Sequence, residues 1–224
     1  MNIGEYKLKS VFLQIDLVEG FLLVDRVGHL LKTLSKRFPK GYKVNVNPSK
    51  IILSNPDAQF SEINIDPGKI WVHSEKVKDL LSLITDFKDL TNLISNEIEV
   101  VEYGRIGIRL LLVKDMSKTN LLSIFTRLSS KSINLIKKNF LSDNVVTTII
   151  HSLQLRKSRE VNVILKPGAK DEKEKGSTYA LIADIDFSQN KKTKIEEMEK
   201  RMAELINIIN KKLPKFLQDV SNIK

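Results

Sequence analysis

From Glu102 to Val113 the chain alternates between apolar residues and residues that carry chemistry: Glu-Tyr-Gly-Arg-Ile-Gly-Ile-Arg-Leu-Leu-Leu-Val. A strand has period two, so Tyr103, Arg105, Gly107, Arg109 and Leu111 are expected on one face. Gly104, Ile106, Ile108, Leu110 and Leu112 take the other. Alternation over residues 6–18 predicts an earlier strand with Val11, Leu13, Ile15 and Leu17 on its apolar side. Shorter strands are predicted at residues 42–46, 51–53, 60–65 and 70–73. They are punctuated by Pro48, by Asn55-Pro56-Asp57 and by Asp66-Pro67-Gly68. Two stripes at helical spacing separate these strands. One runs through Val27, Leu30, Leu31, Leu34 and Phe38 and ends at Pro39 and Gly41; the other runs through Val77, Leu80, Leu81, Ile84 and Phe87 towards Ile94.

The second half repeats this organisation in part. A helical region begins with Leu121, Leu122, Phe125 and Leu128 and ends near Phe140. Strands are expected at residues 145–155, 161–165 and 179–187, with residues 166–178 as a long, glycine- and charge-rich hairpin loop. A terminal helix is expected from about Thr193. Its stripe includes Ile195, Met198, Met202, Leu205, Ile209, Leu213, Leu217 and Val220, and Pro214 is expected to kink or interrupt it. The expected fold is therefore α+β: two ferredoxin-like sheet-and-helix halves, residues 1–115 and 116–224, with mostly antiparallel strands and a long C-terminal helix.

Composition alters this picture in one respect. The 224 residues carry 37 Lys and Arg against 27 Asp and Glu. Residues 1–115 are nearly balanced, with 16 basic against 15 acidic, whereas residues 116–224 hold 21 against 12. A basic second half attracts a polyanion or an acidic partner, or simply solubilises the chain. No run reaches the roughly 18 apolar residues of a membrane helix. The N-terminus lacks a secretory pattern, and there are no cysteines. Together these lead to the expectation of a cytoplasmic protein without disulfides, thiolate catalysis or cysteine-bound metals.

Candidate chemistry is sparse. There is no phosphate-binding glycine loop and no nucleophile elbow; Gly104 and Gly107 lie inside a strand, where they would allow a bulge, a bend or the close approach of a neighbour. The histidines, His29, His73 and His151, are scattered without ligand spacing, and His151 is the one placed on an otherwise apolar strand face. Asp184 and Asp186 share a strand face and, with Asp16, form the candidate set for a divalent cation. Alternatively the two acids pair with Arg105 and Arg109, with one bidentate pair favoured over two. Tyr103, Arg105 and Arg109 would also suit stacking on and clamping single-stranded nucleic acid, but aromatic residues make up only 6% of the chain and no strand interleaves basic and aromatic residues as an RNA-recognition sheet does. Lys191, Lys192 and Lys194, placed at the start of the last helix, oppose its dipole as a cluster kept for binding would, but Glu196, Glu197 and Glu199 follow at once and dilute any anion site.

The segments Tyr103-Gly104-Arg105-Ile106-Gly107-Ile108-Arg109 and Ala183-Asp184-Ile185-Asp186-Phe187, followed by a long final helix, resemble an uncharacterised prokaryotic family of about this length. That family carries a central arginine strand and an Asp-x-Asp strand before a terminal helix. Its arginine strand continues into an asparagine-containing segment, where Leu110-Leu111-Leu112 stands here. The resemblance implies an architecture, with no activity, substrate or cofactor. The functional expectation is a non-enzymatic binding or assembly protein acting through its basic half. Its partner would be a protein, or a second copy of the chain held through the terminal helix. The alternatives are a nucleic-acid-binding protein and a metal-dependent enzyme using Asp184 and Asp186.

Overall fold

Three long strands occupy the middle of the sheet, because their alternation runs furthest. In the computed structural model these are β2 (Tyr6–Leu17), β7 (Glu102–Met116) and β10 (Tyr179–Lys194). The structure describes residues 2–18, 22–38, 41–47, 49–127, 149–155, 159–169 and 179–221. The remaining strands are β1 (Asn2–Ile3), β3 (Lys43–Asn47), β4 (Lys50–Ser54), β5 (Glu62–Asp66), β6 (Lys69–Ser74), β8 (Ile149–Leu155) and β9 (Arg159–Ala169). The helices are α1 (Leu22–Arg37), α2 (Leu80–Ile98), α3 (described over residues 118–127) and α4 (Met198–Ser221), the last entered through a short 3-10 turn at Ile195–Glu197.

The strands form one sheet in the order β3-β4-β5-β6-β2-β7-β10-β9-β8, with β1 paired to β2. The two halves of the chain are joined edge to edge by β7 and β10, which pair from Tyr179 opposite Met116 to Lys194 opposite Glu102. Every described pairing is antiparallel, that of β2 with β6 included. The fold is thus α+β, mostly antiparallel, with a long C-terminal helix. The ferredoxin-like detail is not reproduced, because its split βαβ units set neighbouring strands parallel.

One face of the sheet is the core. Val11, Leu13 and Ile15 of β2, Ile106, Ile108 and Leu110 of β7, and Leu181, Ala183 and Ile185 of β10 are completely or almost completely buried. They join one apolar cluster with Leu30 and Leu34 of α1, Phe87 and Ile94 of α2, and Met202, Leu205 and Ile209 of α4. Capping and ties fix these helices. Asp79 accepts from the backbone N–H of Ser82 at 2.7 Å and starts α2. Thr91 of α2 donates to Met198 Sδ at 3.5 Å, and the hydroxyls of Tyr6 and Ser221 meet at 3.0 Å where α4 ends over β2.

Several sequence expectations require correction. Lys191, Lys192 and Lys194 belong to the end of β10, because pairing with β7 persists to Lys194 and delays the helix. Pro214 does not interrupt α4: Leu213 and Leu217 on either side are buried, and that burial offsets a proline cost of about 3 kcal/mol. The apolar stripe of α4 is spent on its own core, not left as an exposed strip. Lys166, Pro167, Gly168 and Ala169 extend β9 opposite Ile182, Leu181, Ala180 and Tyr179, so pairing overrides their turn signal; residues 170–178 of that expected loop lie outside the described residues, as do residues 128–140. Among the described residues no helix is long and apolar enough to cross a membrane.

Candidate functional site on the open sheet face

The alternate residues of the central strands form the opposite face, and register sets them in rows. One row runs from His73 to Phe12, Arg109, Asp186 and Asn162 across β6, β2, β7, β10 and β9. The next holds Asn64, Trp71, Gln14, Gly107 and Ser188 across β5, β6, β2, β7 and β10. A third holds Lys69, Asp16, Arg105 and Asn190. Thus aromatic, cationic and acidic side chains from four strands meet around an open depression of about 200 Å³, floored by Gly107 and bordered by Phe12, Trp71, Lys69, Arg105 and Arg109.

Both arginines lean along β7 in the same direction and reach acids that are not their direct neighbours. Arg109 stands opposite Asp186 yet binds Asp184 through two bonds, Nε to Oδ1 at 2.7 Å and Nη2 to Oδ2 at 2.6 Å. Arg105 stands opposite Asn190 and extends back over Gly107 to bind Asp186 Oδ2 at 2.8 Å. Gly107 makes this possible: a Cβ there would lie 3.2 Å from Arg105 Nη1. The pattern is one bidentate pair and one single-bonded pair. Asp184 bonding and its surrounding carboxylates raise the Arg109 pKa above its usual value. Burial raises that of Asp186 despite the opposing pull of Arg105 and Arg109.

The aromatic wall is equally ordered. Phe12 stacks on His73, with centroids 4.2 Å apart and planes 17° from parallel, and lies 6.3 Å from the Trp71 ring. Arg109 sits over the other side of this group, 5.8 Å from the Phe12 centroid. His73 is held in turn by the Ser61 hydroxyl, 3.2 Å from Nδ1. Gln14 donates to Asp16 Oδ1 at 2.6 Å.

Tyr103 is not on this face. A bulge at Gly104 shifts the pairing from Arg105 opposite Asp16 to Tyr103 opposite Leu17, and on β10 from Asn190 to Thr193. The bulge reverses the parity, so Tyr103 is fully buried in the core with its hydroxyl 3.3 Å from that of Ser95. Asp16 lies opposite Arg105, whereas Asp186 lies opposite Arg109 four residues further along, so these carboxylates do not converge. Among the described residues no three metal-ligating side chains gather, and both acids of the Asp-x-Asp strand are engaged by arginines. His151 lies on β8 opposite Val163; its side chain is outside the described residues. His29 is exposed and pairs with Glu97 at 2.6 Å, linking α1 to α2.

Phe12, Gln14, Lys69, Trp71 and His73 had no part in the sequence-level site. The available signal was the polar or aromatic alternate of each buried position: Phe12, Gln14 and Asp16 interleave with Leu13 and Ile15, and Trp71 with Ile70 and Val72.

No family model matches the chain, and no curated protein matches it. Among solved structures, the chain is similar to a crystal structure of an unknown protein from Galdieria sulphuraria at 9% identity, covering 92% of this chain and 94% of that one, with a TM-score of 0.16.

Proposed function

We propose that this is a non-enzymatic binding protein whose recognition surface is the open face of the sheet. One observation carries the reading: Phe12, Trp71, Lys69, Arg105 and Arg109, from β2, β6 and β7, border one solvent-reached depression while the sheet's other face is occupied by the helices. Ion pairs hold Arg105 and Arg109, and stacking on His73 holds Phe12, before anything binds, which lowers the ordering cost of association. The carboxylates that would serve catalysis are neutralised by arginine, so the arrangement supports holding a ligand over transforming one. The exposed Lys191, Lys192 and Lys194 of the basic second half follow Asn190 at the Arg105 end of this face and extend its positive border.

Trp71 is the single tryptophan of the chain, so its emission reports on the site. Titration with single-stranded oligonucleotide, duplex DNA, heparin and an acidic peptide is expected to give a saturable change with at least one of them. That change should weaken in Arg109→Gln. If none perturbs Trp71 at low salt, the open face is not a recognition surface.

A further inference from the structure

We infer that the ligand of this face is a nucleobase with an adjoining phosphate, presented by single-stranded nucleic acid or by a free nucleotide. This rests on reading the open face as the recognition surface. A planar platform and an unspent cation stand side by side here. Trp71 borders the depression beside the Phe12–His73 stack and offers a π-face on which a base can lie, whereas Phe12 is already covered by His73 and Arg109. Lys69, two residues before Trp71 on the same strand face, makes no ion pair among the described residues, unlike Arg105 and Arg109.

Charge decides between an anionic and a neutral ligand. Asp186 and Asp184 bind Arg105 and Arg109, and Asp16 stands between Lys69 and Arg105, so among the described residues the cation of the lining without an ion pair is Lys69, which favours an anionic group beside Trp71. Beyond it, β10 bulges between Asn190, opposite Arg105, and Thr193, opposite Tyr103, and the bulge presents Lys191 and Lys192 to solvent. Cations thus continue past the stacking platform along one end of the sheet. A base over Trp71 places its phosphate towards Lys69, and further phosphates of a strand can follow to the lysine bulge. Duplex ends or grooves would not serve, because the platform needs an unstacked base.

The test uses the full chain, with Trp71 emission read during titration with adenosine 5′-monophosphate, oligoadenylate of about ten nucleotides, the corresponding duplex, adenosine, inorganic phosphate, heparin and polyglutamate. Saturable quenching by the oligomer or the mononucleotide, with the duplex and adenosine much weaker, is the expected result. Equal affinity for both would assign a free nucleotide, and at least tenfold tighter oligomer binding would assign a strand. Lys69→Gln should weaken binding similarly across base sequences and reduce the salt slope by about one. Trp71→Leu, read calorimetrically, should weaken it roughly tenfold or more, with Trp71→Phe intermediate. Unchanged affinity in a folded Trp71→Leu protein would overturn the inference. If heparin or polyglutamate perturbs Trp71 while neither nucleotide does, the ligand class is wrong and the recognition surface stands. If nothing perturbs it, both fail.

Discussion

The guanidinium of Arg105 lies on the bare backbone of Gly107, two residues along its own strand. A methyl group at position 107 would come within 3.2–3.3 Å of three guanidinium atoms. The glycine therefore gives Arg105 its route to Asp186, and the missing side chain is part of the site. Replacement by a β-branched residue suits a strand but removes this seat. Gly107→Val is expected to destabilise by about 1–3 kcal/mol through overpacking, measured as a lower denaturation midpoint at constant slope. Combining it with Arg105→Ala should recover part of the loss. Strict additivity of the two changes would disprove the contact.

The Arg109–Asp184 pair should respond asymmetrically to substitution. The Asp184 side chain is only 9% exposed, whereas that of Arg109 is 51% exposed and can be hydrated alone. Arg109→Ala leaves a buried carboxylate without its bidentate donor, at about 2–3 kcal/mol; Asp184→Asn leaves a cation that water can reach, at about 1 kcal/mol. Equal losses from both variants in urea unfolding would contradict the buried position of Asp184.

Asp186 should depart from the usual behaviour of paired carboxylates under acid. Burial raises its pKa in the folded protein above the unfolded value, so the folded state holds this proton more tightly. The contribution of Asp186 to stability is present below the unfolded pKa and is lost as pH rises through the folded one. Asp186→Asn, which fixes the uncharged form, is therefore expected to gain stability relative to wild type as pH rises across the window just above the ordinary carboxylate range. Parallel pH–stability curves for the two proteins would show that Arg105 cancels the burial effect.

At the alkaline end, three tyrosines act together. Burial pushes Tyr42 up to about 12, and raises Tyr6 and Tyr103 as well. A phenol with a raised folded pKa stabilises the fold below its unfolded value, and that stability is lost as pH rises through the folded value. Ultraviolet titration should show part of the phenolate absorbance delayed until the chain unfolds above about pH 10. Complete, reversible ionisation of Tyr6, Tyr42 and Tyr103 near the free-phenol value with the fold intact would refute their burial.

The sequence carried much of the frame because local period and local burial agree along β2, β7 and α2. It carried the pairing partners of Arg105 and Arg109 only as a set, since side-chain reach depends on register, and register on strands 75 and 81 residues apart. Period two places Tyr103 on the arginine face only while the pleating is unbroken. A one-residue bulge at Gly104 reverses every residue before it, and nothing in the local pattern distinguishes a bulge glycine from the seat glycine three positions on.

By itself, the sequence determined that there would be an α+β fold, where its long strands and helices lie, and that arginines and acids would share strand faces. These follow from interactions between residues near one another along the chain. Only the tertiary structure decided that both halves enter one antiparallel sheet, that the helices share one face, and that Phe12, Trp71 and Lys69 stand beside Arg105 and Arg109. Those relationships depend on which strands become neighbours, a choice made by the burial of the whole apolar face at once. The open face is what that choice leaves on the other side.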